Sequence, residues 1–373
     1  MKILTLNYEF PPLGGGASAV SFELAKELSR DKRFAIDIVT MNYKGMKTYE
    51  EINDRLHIHR VNCLRSRKEI CHPQEQLTYL VSAYFKINKL LRQNEYDLCH
   101  AHFLIPTGIL AYILNKQTGL KYLITSHGSD VPGFNPDRLL FLHQFTRPIL
   151  RLISRGAERI TVPSRFLQQL ILKNISQKLK QKITIIPNGI DINKLKPRQK
   201  EKYILSTGRF LPRKGFQYLI KAVSHKDYGY PVHLVGNGPM FKQLKKLAAK
   251  SKTKIVFHGW LDNKSEKYKN LLEKAAIFCL FSNRESSGMS LMEAMSAGCA
   301  VITTTAGGGA ETVGHSGFLL PPKNYLPLRK KIEFLIKNQR NLKKYQLKAR
   351  QKAEKNFAWK VLIKKYKKLY YFS

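Results

Sequence analysis

Two glutamates, Glu285 and Glu293, bracket a short run of small residues that is typical of a helix start. The run Ser287–Ser290 would leave backbone N–H groups free to hold an anion. Its pattern places Glu285 before the helix and Glu293 within the first turn, so the two carboxylates reach different parts of a ligand. Two plainer interpretations stay open: a surface acid at Glu285, and at Glu293 an acid that stabilises the helix dipole.

A cationic loop, Gly208–Gly215, lies earlier in the same half of the chain. An arginine such as Arg209 grips a phosphate through two parallel hydrogen bonds, and a lysine such as Lys214 supplies a compact charge. The flanking glycines would admit a ligand close to the backbone. The loop therefore suits a diphosphate, with solvated surface cations as the plainer alternative.

The first half of the chain offers a glycine run, Gly14–Gly16, and a histidine, His127. The glycine run is not Gly-x-Gly-x-x-Gly, so the dinucleotide-binding fingerprint is absent. It would let phosphates or sugars approach the backbone, or serve only as a flexible turn. His127 would donate to a sugar hydroxyl or a phosphate, unless it is structural, and Asp130 nearby would alternatively cap a turn.

Short apolar runs alternate with helix-period segments, which predicts parallel sheets covered on both faces. Predicted strands in the first half are Ile3–Leu6, Ala35–Thr40, Asp97–Ala101, Tyr122–Thr125, Ile160–Val162 and Ile183–Ile186. Those in the second half are Tyr203–Ser206, Pro231–Val235, Lys254–Phe257, Ala276–Phe281 and Ala300–Thr303. Helical spacing marks Ser21–Leu28, Leu77–Leu91, Leu139–Ser154, Phe216–Ala222 and Met240–Lys250. Ligands bind such sheets beyond the carboxyl ends of the strands, where the loops above lie.

The alternation restarts after a polar, basic stretch, so we predict an α/β class with two doubly wound domains. The first spans residues 1–187, a linker spans 188–202, the second domain spans 203–355, and a final helix spans 356–373. The basic tail from Lys337 to Ser373 keeps apolar residues near helical spacing. It is expected to be a packed helix with a cationic outer face.

The chain carries 65 Lys and Arg against 26 Asp and Glu over 373 residues, a formal charge of +39. This excess predicts an anionic partner, such as nucleic acid, an acidic membrane surface or a phosphorylated substrate, although a general lysine bias explains it equally well. The five cysteines form no Cys-x-x-Cys pair, which argues against a disulfide framework or a zinc site. Neither a signal peptide nor a membrane span is expected, so the chain is soluble or peripheral.

Taken together, the loops resemble those of the retaining glycosyltransferases of family four, whose GT-B fold has two Rossmann-like domains facing across a cleft. The resemblance covers nearly the whole chain, and the order and spacing of its motifs are specific although each motif alone is weak. They are Glu9-Phe-Pro-Pro-x-Gly-Gly-Gly16, His127-Gly-Ser-Asp130, Pro187-Asn-Gly-Ile-Asp191, Gly208-Arg-Phe-x-x-x-Lys-Gly215, Val235-Gly-Asn-Gly-Pro239, Glu285-(seven residues)-Glu293-Ala-Met-Ser-Ala-Gly298 and Gly307-Gly-Gly-Ala-Glu311.

The resemblance implies roles for the matching residues. The residues expected at the reacting diphosphate and sugar are Arg209, Lys214, Glu285 and His127. Those expected to bind the rest of the donor are Gly15, Gly16, Gly236, Leu261, Gly288, Met289, Ser290 and Glu293. Among these, Glu293 would hold the ribose hydroxyls, Leu261 would line the nucleobase pocket, and Gly15, Gly16 and His127 would close over the donor from the first domain.

The resemblance further implies transfer with retention, no metal and no cofactor, with the leaving diphosphate helping to deprotonate the acceptor. The expected partners are a nucleotide diphosphate-sugar donor, such as a UDP- or GDP-sugar, and the hydroxyl of a lipid-linked or envelope glycan, such as lipopolysaccharide, capsule or glycolipid. The first domain would receive this acceptor. The final segment, with Phe357, Trp359 and Tyr366, resembles a helix that returns to the first domain.

A row of arginines predicts where the protein would meet an anionic membrane. Arg147, Arg151, Arg155 and Arg159 recur at four-residue intervals with Ile149, Leu150, Leu152 and Ile153 among them. If helical, with Pro148 near its start and Gly156 near its end, the segment pairs a cationic stripe with an apolar one, as interfacial helices do. We expect a peripheral protein on the cytoplasmic face of the membrane, unless the apolar side is buried in the core.

Two other functions stay open. A sugar-nucleotide epimerase can have the same fold, although the epimerases lack this glutamate spacing. The positive charge alone would also suit a nucleic-acid-binding protein, but the sequence has none of the usual recognition signatures and no specific nucleic acid is expected.

Overall fold

The computed structural model describes residues 1–68, 70–135 and 140–372, with the backbone alone at 140–145. The chain divides into two compact units. Unit 1 contains Met1–Gly189 together with the segment from Trp359 onward, and unit 2 contains Ile190–Ala358. Each unit buries its own apolar core.

The strands of unit 1 form on the short apolar runs, because such runs are stable only when both faces are covered. They are β1 (Lys2–Leu6), β2 (Ala35–Met41), β3 (Tyr49–Asn53), β4 (Leu56–Val61), β5 (Leu98–His102), β6 (Tyr122–Thr125), β7 (Arg159–Val162) and β8 (Ile183–Ile185). The helices between them are α1 (Gly16–Ser29), α2 (Pro73–Gln93), α3 (Thr107–Thr118), α4 (Leu140–Gly156) and α5 (Arg165–Asn174). Leu139, with which the predicted helix Leu139–Ser154 begins, lies outside the described residues.

The sheet of unit 1 has the order β3-β4-β2-β1-β5-β6-β7-β8. Every pair is parallel except the hairpin of β3 and β4 at one edge. This hairpin was not predicted, since β3 is polar and no residue of it is fully buried. The parallel order confirms the predicted α/β class for this half of the chain.

Unit 2 repeats the alternation. Its strands are β9 (Glu201–Thr207), β10 (Val232–Val235), β11 (Ile255–Gly259), β12 (Ala275–Leu280), β13 (Ala300–Thr304) and β14 (Phe318–Leu320). Its helices are α6 (Phe216–Val223), α7 (Phe241–Ala248), α8 (Glu266–Lys274), α9 (Met289–Ser296), α10 (Gly308–Val313), α11 (Tyr325–Lys337) and α12 (Gln339–Asn356). The sheet is parallel throughout, in the order β11-β10-β9-β12-β13-β14. One core packs α6, α7 and α11 on the sheet, and a second packs α8, α9 and α12.

The basic tail is two helices where the sequence predicted one. α12 ends at Asn356 in unit 2, and α13 (Trp359–Tyr371) lies in unit 1. Within unit 1, Tyr370 makes a hydrogen bond of 2.8 Å to Nδ1 of His100 on β5. Lys367 makes an ion pair of 2.6 Å with Asp31, which follows α1. The final helix is therefore part of unit 1.

The arginine row is only partly helical. α4 begins at Leu140, so Pro148 lies inside the helix rather than at its start, whereas Gly156 ends it as predicted. Arg159 lies on β7 and therefore does not belong to the helical stripe. Leu150 and Ile153 are buried, but Ile149 and Leu152 are 45% and 50% exposed. In the described part of the chain, no helix is both long and apolar enough to cross a membrane.

A cluster of buried histidines lies at the centre of unit 1. His100 and His102 are neighbours on β5, with ring centroids 4.4 Å apart, and the His102 ring stacks on that of His127. Burial lowers the pKa of His100 and of His127 to about 3, and lowers that of His102 well below its usual value. These side chains are therefore neutral hydrogen-bonding groups in the folded protein.

Replacing His100 with Gln should make the stability of the protein less dependent on pH. An unfolded chain protonates this histidine near pH 6.5, whereas the folded protein does so only near pH 3. Across this window the unfolded state binds the extra proton, so the free energy of unfolding falls as the pH falls, by about 1.4 kcal/mol per pH unit. Denaturant titrations at several pH values in this window measure the free energy of unfolding. This free energy should fall less steeply with falling pH in His100→Gln than in the wild type, with the exposed His315→Gln as control. An unchanged slope would contradict this assignment.

Candidate functional site

Three loops of unit 2 meet at the carboxyl ends of β9, β10 and β11. The backbone N–H of Gly208 donates to Val235, and that of Gly236 donates to Gly259, over 3.0 and 2.7 Å. Gly236 has a φ of +142°, and a Cβ at this position would overlap the carbonyl of Gly208. Only glycine allows this close approach, which keeps the cationic loop beside its neighbours.

The cationic loop meets the glutamate motif directly. Lys214 ends a short 3₁₀ turn, Pro212–Lys214, and its Nζ lies 2.6 Å from Oε1 of Glu285, 71 residues later. Glu285 is only 8% exposed, so its carboxylate depends on this partner for compensation of its charge. Arg213 ties the same two loops together by donating to the carbonyl of Arg284.

The glycine run after β13 holds the backbone of the glutamate motif. The N–H of Gly308 donates to the carbonyl of Glu285 over 2.8 Å, and the hydroxyl of Thr312 donates to the carbonyl of Ser287. Gly307–Glu311 is one of the motifs that carry the family resemblance, and no role was predicted for it. Its contacts fix the loop that carries Glu285.

The helix start expected near Ser287 is the start of α9. Gly288 is the N-cap, with a φ of +78°, and Met289 and Ser290 are the first helical residues. Glu293 lies one turn further on than predicted, in the second turn, so the interpretation as a first-turn dipole acid is wrong. Burial raises the pKa of its carboxyl group.

Tyr268 on α8 is a partner of Glu293 that the sequence analysis missed. Its hydroxyl donates to Oε2 of Glu293 over 2.8 Å, a bond that opposes the rise in the pKa of Glu293. Tyr268 is buried and lies 25 residues earlier in the chain. A tyrosine on the apolar face of a short helix carries no sequence signal for this contact.

The remaining predicted residues of unit 2 also lie beyond the carboxyl ends of the strands. Arg209 is exposed and directly follows Gly208 in the loop beyond β9. Leu261 follows β11 and packs partly buried against the second core, beside Trp260, whose side chain is 63% exposed. The structure therefore brings the predicted residues of unit 2 together beyond the ends of its strands.

The predicted residues of unit 1 lie beyond the carboxyl ends of its own strands. His127 follows β6 and its Nε2 lies 3.0 Å from Nδ1 of His102. The carboxylate of Asp130 accepts from the backbone N–H groups of His127, Gly128 and Leu104, which confirms the capping alternative for this acid. Gly15 and Gly16 are exposed at the start of α1.

Glu9, like Tyr268, makes a contact that was not predicted from the sequence. Burial raises the pKa of its carboxyl group, and the charge of Arg65 opposes that rise. A Cβ on Gly14 would come within 2.8 Å of this carboxyl, so Glu9 lies against the glycine run. The neighbouring Tyr8 ring packs on Phe103, whose ring in turn packs on His127. These ring contacts connect Tyr8, the residue before Glu9, to His127.

Two family models match the chain in succession. The model described as Glycosyltransferase Family 4 matches residues 14–194, and the model described as Glycosyl transferases group 1 matches residues 188–356. The second match contains the whole cluster around Lys214, Glu285 and Glu293 in unit 2. The first contains the glycine run and His127 in unit 1.

Similar proteins match over most of the chain. An uncharacterised glycosyltransferase of Methanocaldococcus jannaschii is 26% identical, covering 99% of this chain and 98% of that one. A GDP-mannose-dependent α-(1-6)-phosphatidylinositol monomannoside mannosyltransferase of Mycobacterium tuberculosis is 21% identical, covering 84% and 83%. The Anabaena protein HepE, solved in complex with UDP and glucose, is 19% identical with a TM-score of 0.77, covering 99% of each chain. This last similarity concerns the fold, which is GT-B.

Replacing Lys214 with Ala should lower the free energy of unfolding by about 2 kcal/mol, because the largely buried carboxylate of Glu285 then loses its partner. Chemical denaturation measures this change. Lys221→Ala, at an exposed position on α6, is the matched control and should stay within about 0.5 kcal/mol of the wild type. Equal stabilities for the two variants would show that the ion pair contributes nothing.

Proposed function

Since the chain belongs to the glycosyltransferases of family 4, enzymes that use nucleotide sugars, we propose that it transfers a sugar from a nucleotide diphosphate-sugar to a hydroxyl of a lipid-linked or envelope glycan. The observation that carries this proposal is the contact between Lys214 and Glu285. It joins a cationic loop to the start of α9, so that cations and backbone N–H groups converge where a diphosphate would bind.

The donor would lie along the strand ends of unit 2. Lys214 and Arg209 would hold the diphosphate, and Glu285 with the backbone of Gly288–Ser290 would hold the transferred sugar and phosphates. Glu293 would accept hydrogen bonds from the ribose hydroxyls, and Leu261, beyond β11, would line the nucleobase pocket. Gly236 would keep the backbone beside the donor accessible.

The acceptor and the reacting face of the sugar are assigned to unit 1. Gly15 and Gly16 are exposed at the start of α1, where backbone N–H groups lack partners within the helix. His127 would contribute a neutral imidazole, since burial lowers its pKa to about 3. A neutral imidazole hydrogen-bonds a sugar hydroxyl without adding charge.

We propose transfer with retention and without a metal. The carboxylate of Glu285 is engaged by Lys214 at 2.6 Å, which disfavours it as the nucleophile of a double displacement. Cationic side chains and helix N–H groups would stabilise the leaving diphosphate, the task that a divalent ion performs elsewhere. The diphosphate itself would then accept the proton of the acceptor hydroxyl.

A lipid-linked acceptor would require the enzyme to work at the cytoplasmic face of a membrane. The similar mannosyltransferase of Mycobacterium tuberculosis acts, by its name, on a phosphatidylinositol mannoside. The exposed Arg147, Arg151 and Arg155 on α4 add positive charge suited to anionic lipid. These observations support attachment to the membrane surface.

A panel of UDP- and GDP-sugars, read by nucleotide release, tests the proposed transfer. One donor should be turned over, and EDTA should leave the rate undiminished because the protein supplies the positive charge. Strict dependence on added manganese or magnesium would contradict the mechanism. Epimerisation of the sugar nucleotide without transfer would support the epimerase, and tight duplex DNA binding without turnover would support the nucleic-acid alternative.

Replacing Glu293 with Gln should weaken nucleotide diphosphate binding by about tenfold, through the loss of a charge-assisted hydrogen bond. Tyr268→Phe should bind the nucleotide as the wild type does at high pH. As the pH falls, this variant should lose affinity at a higher pH than the wild type does. The reason is that the Tyr268 hydroxyl lowers the pKa of Glu293, so that without this hydroxyl the carboxyl group is protonated at a higher pH. Calorimetric titration with UDP and GDP across pH measures both effects. Wild-type affinity in Glu293→Gln would remove this residue from the donor site.

A further inference from the structure

The helix α2 of unit 1 is apolar on two opposite sides. Its inward side buries Tyr79, Ala83 and Ile87 against the sheet. Leu77, Val81 and Phe85 recur at the same four-residue interval two positions away, which places them on the opposite side of the helix. These three side chains are 63%, 60% and 69% exposed. A surface helix normally keeps its outer side polar, so an apolar stripe on that side is typical of a surface that binds a partner.

The apolar stripe has further exposed apolar neighbours. Leu64, 63% exposed, precedes the helix, and its backbone N–H donates to the hydroxyl of Thr78 in the first turns of α2. α3 packs between α2 and α4, and α4 adds the exposed Ile149 and Leu152. The outer sides of these helices thus form a single surface within unit 1, here called the α2–α4 face.

The α2–α4 face is strongly cationic. Its helices carry one acid, Glu75, and that carboxylate accepts hydrogen bonds from Ser66 and from the N–H of His72. Their basic residues are Lys86, Lys89, Arg92, Lys116, Arg147, Arg151 and Arg155. The stripe itself continues from Phe85 into the exposed Lys89 and Arg92. Apolar side chains bordered by cations match a membrane interface with anionic headgroups.

We propose that the α2–α4 face docks on an anionic lipid bilayer, with Leu77, Val81 and Phe85 inserted among the acyl chains and the cations at the headgroups. The inference deepens the proposed membrane-linked function. It replaces the arginine row with α2 as the main anchor, because Arg159 is not on the helix and because Leu150 and Ile153, two of the four apolar residues among the arginines, are buried. A second copy of the chain is a poorer occupant, since it would bring the same positive charge to the contact.

Co-sedimentation with phosphatidylglycerol vesicles tests the docking. The wild type should bind at low salt, more weakly at high salt, and poorly to neutral phosphatidylcholine vesicles. Phe85→Ser should weaken binding by about tenfold, and the triple replacement of Leu77, Val81 and Phe85 by Ser should abolish it. Equal binding to neutral vesicles, or no binding at low salt, would overturn the proposal.

Leu347→Ser is the matched control. Leu347 is 64% exposed on α12 of unit 2, among Lys343, Lys344 and Lys348, so it has the same exposure and a similarly basic setting. Its replacement should leave vesicle binding unchanged. An equal loss of binding in Leu347→Ser and Phe85→Ser would show a general effect of charge and apolar surface, and would overturn the assignment to α2.

Insertion itself can be observed with a tryptophan at the tip of the stripe. Phosphatidylglycerol brominated on its acyl chains should quench the tryptophan fluorescence of Phe85→Trp but not that of Leu347→Trp. Both signals are measured above the fluorescence of the native tryptophans. Concentration-dependent dimers that Phe85→Ser abolishes, without quenching, would identify a second copy as the occupant. Tighter binding to duplex DNA than to vesicles would identify nucleic acid and overturn the proposal.

The docking and the proposed transfer can fail separately. Nucleotide release from the donor in the absence of vesicles measures turnover. The triple Ser variant should retain it because these side chains are exposed on the outer side of α2 and none of them is assigned to the donor. Turnover without vesicle binding would overturn the docking alone. Vesicle binding without turnover of any donor would overturn the transferase proposal alone.

Discussion

Parallel strands covered by helices on both faces favour apolar side chains along their length, and this constraint decides where most of the chemistry of the protein can be. In unit 2 the strands β12 and β13 are apolar and buried along their whole length, and the charged and glycine-rich loops lie beyond the carboxyl ends of the strands. Lys214 and Glu285 approach within 2.6 Å because β9 and β12, which precede them, are neighbours in the sheet. The glycine at position 236 lets a third loop close on the same edge.

Much of this arrangement follows from the sequence, because short apolar runs can be satisfied only as buried strands. The predicted runs lie on β1, β2, β5 to β8 and β9 to β13. The β3–β4 hairpin was missed since its outer strand is polar. A final helix was predicted from residue 356 and begins at Trp359, whereas α12 before it was not predicted as a separate helix. The contact of Tyr268 with Glu293 depends on tertiary packing across 25 residues, which local pattern does not encode.

The outward side of α2 shows the same limit for surfaces. Helical periodicity in Leu77–Leu91 predicts a helix but not which apolar side meets the sheet, since residues on both sides recur at four-residue intervals. The arginines of α4 gave a clearer pattern, yet Pro148 and Arg159 do not have the positions that the pattern assigned to them. Exposure in the folded chain distinguishes the two sides of α2.

The packing of α13 in unit 1 has a consequence for how the protein is made. Unit 1 consists of two separate segments of the chain, with unit 2 inserted between them. While the ribosome synthesises unit 2, the nascent unit 1 lacks the helix whose Tyr370 packs on Phe34 and bonds His100. Unit 2 is therefore complete in sequence before unit 1, and the apolar side of unit 1 that packs against α13 stays open until α13 has been synthesised. During this interval the nascent chain presents a natural binding surface for chaperones.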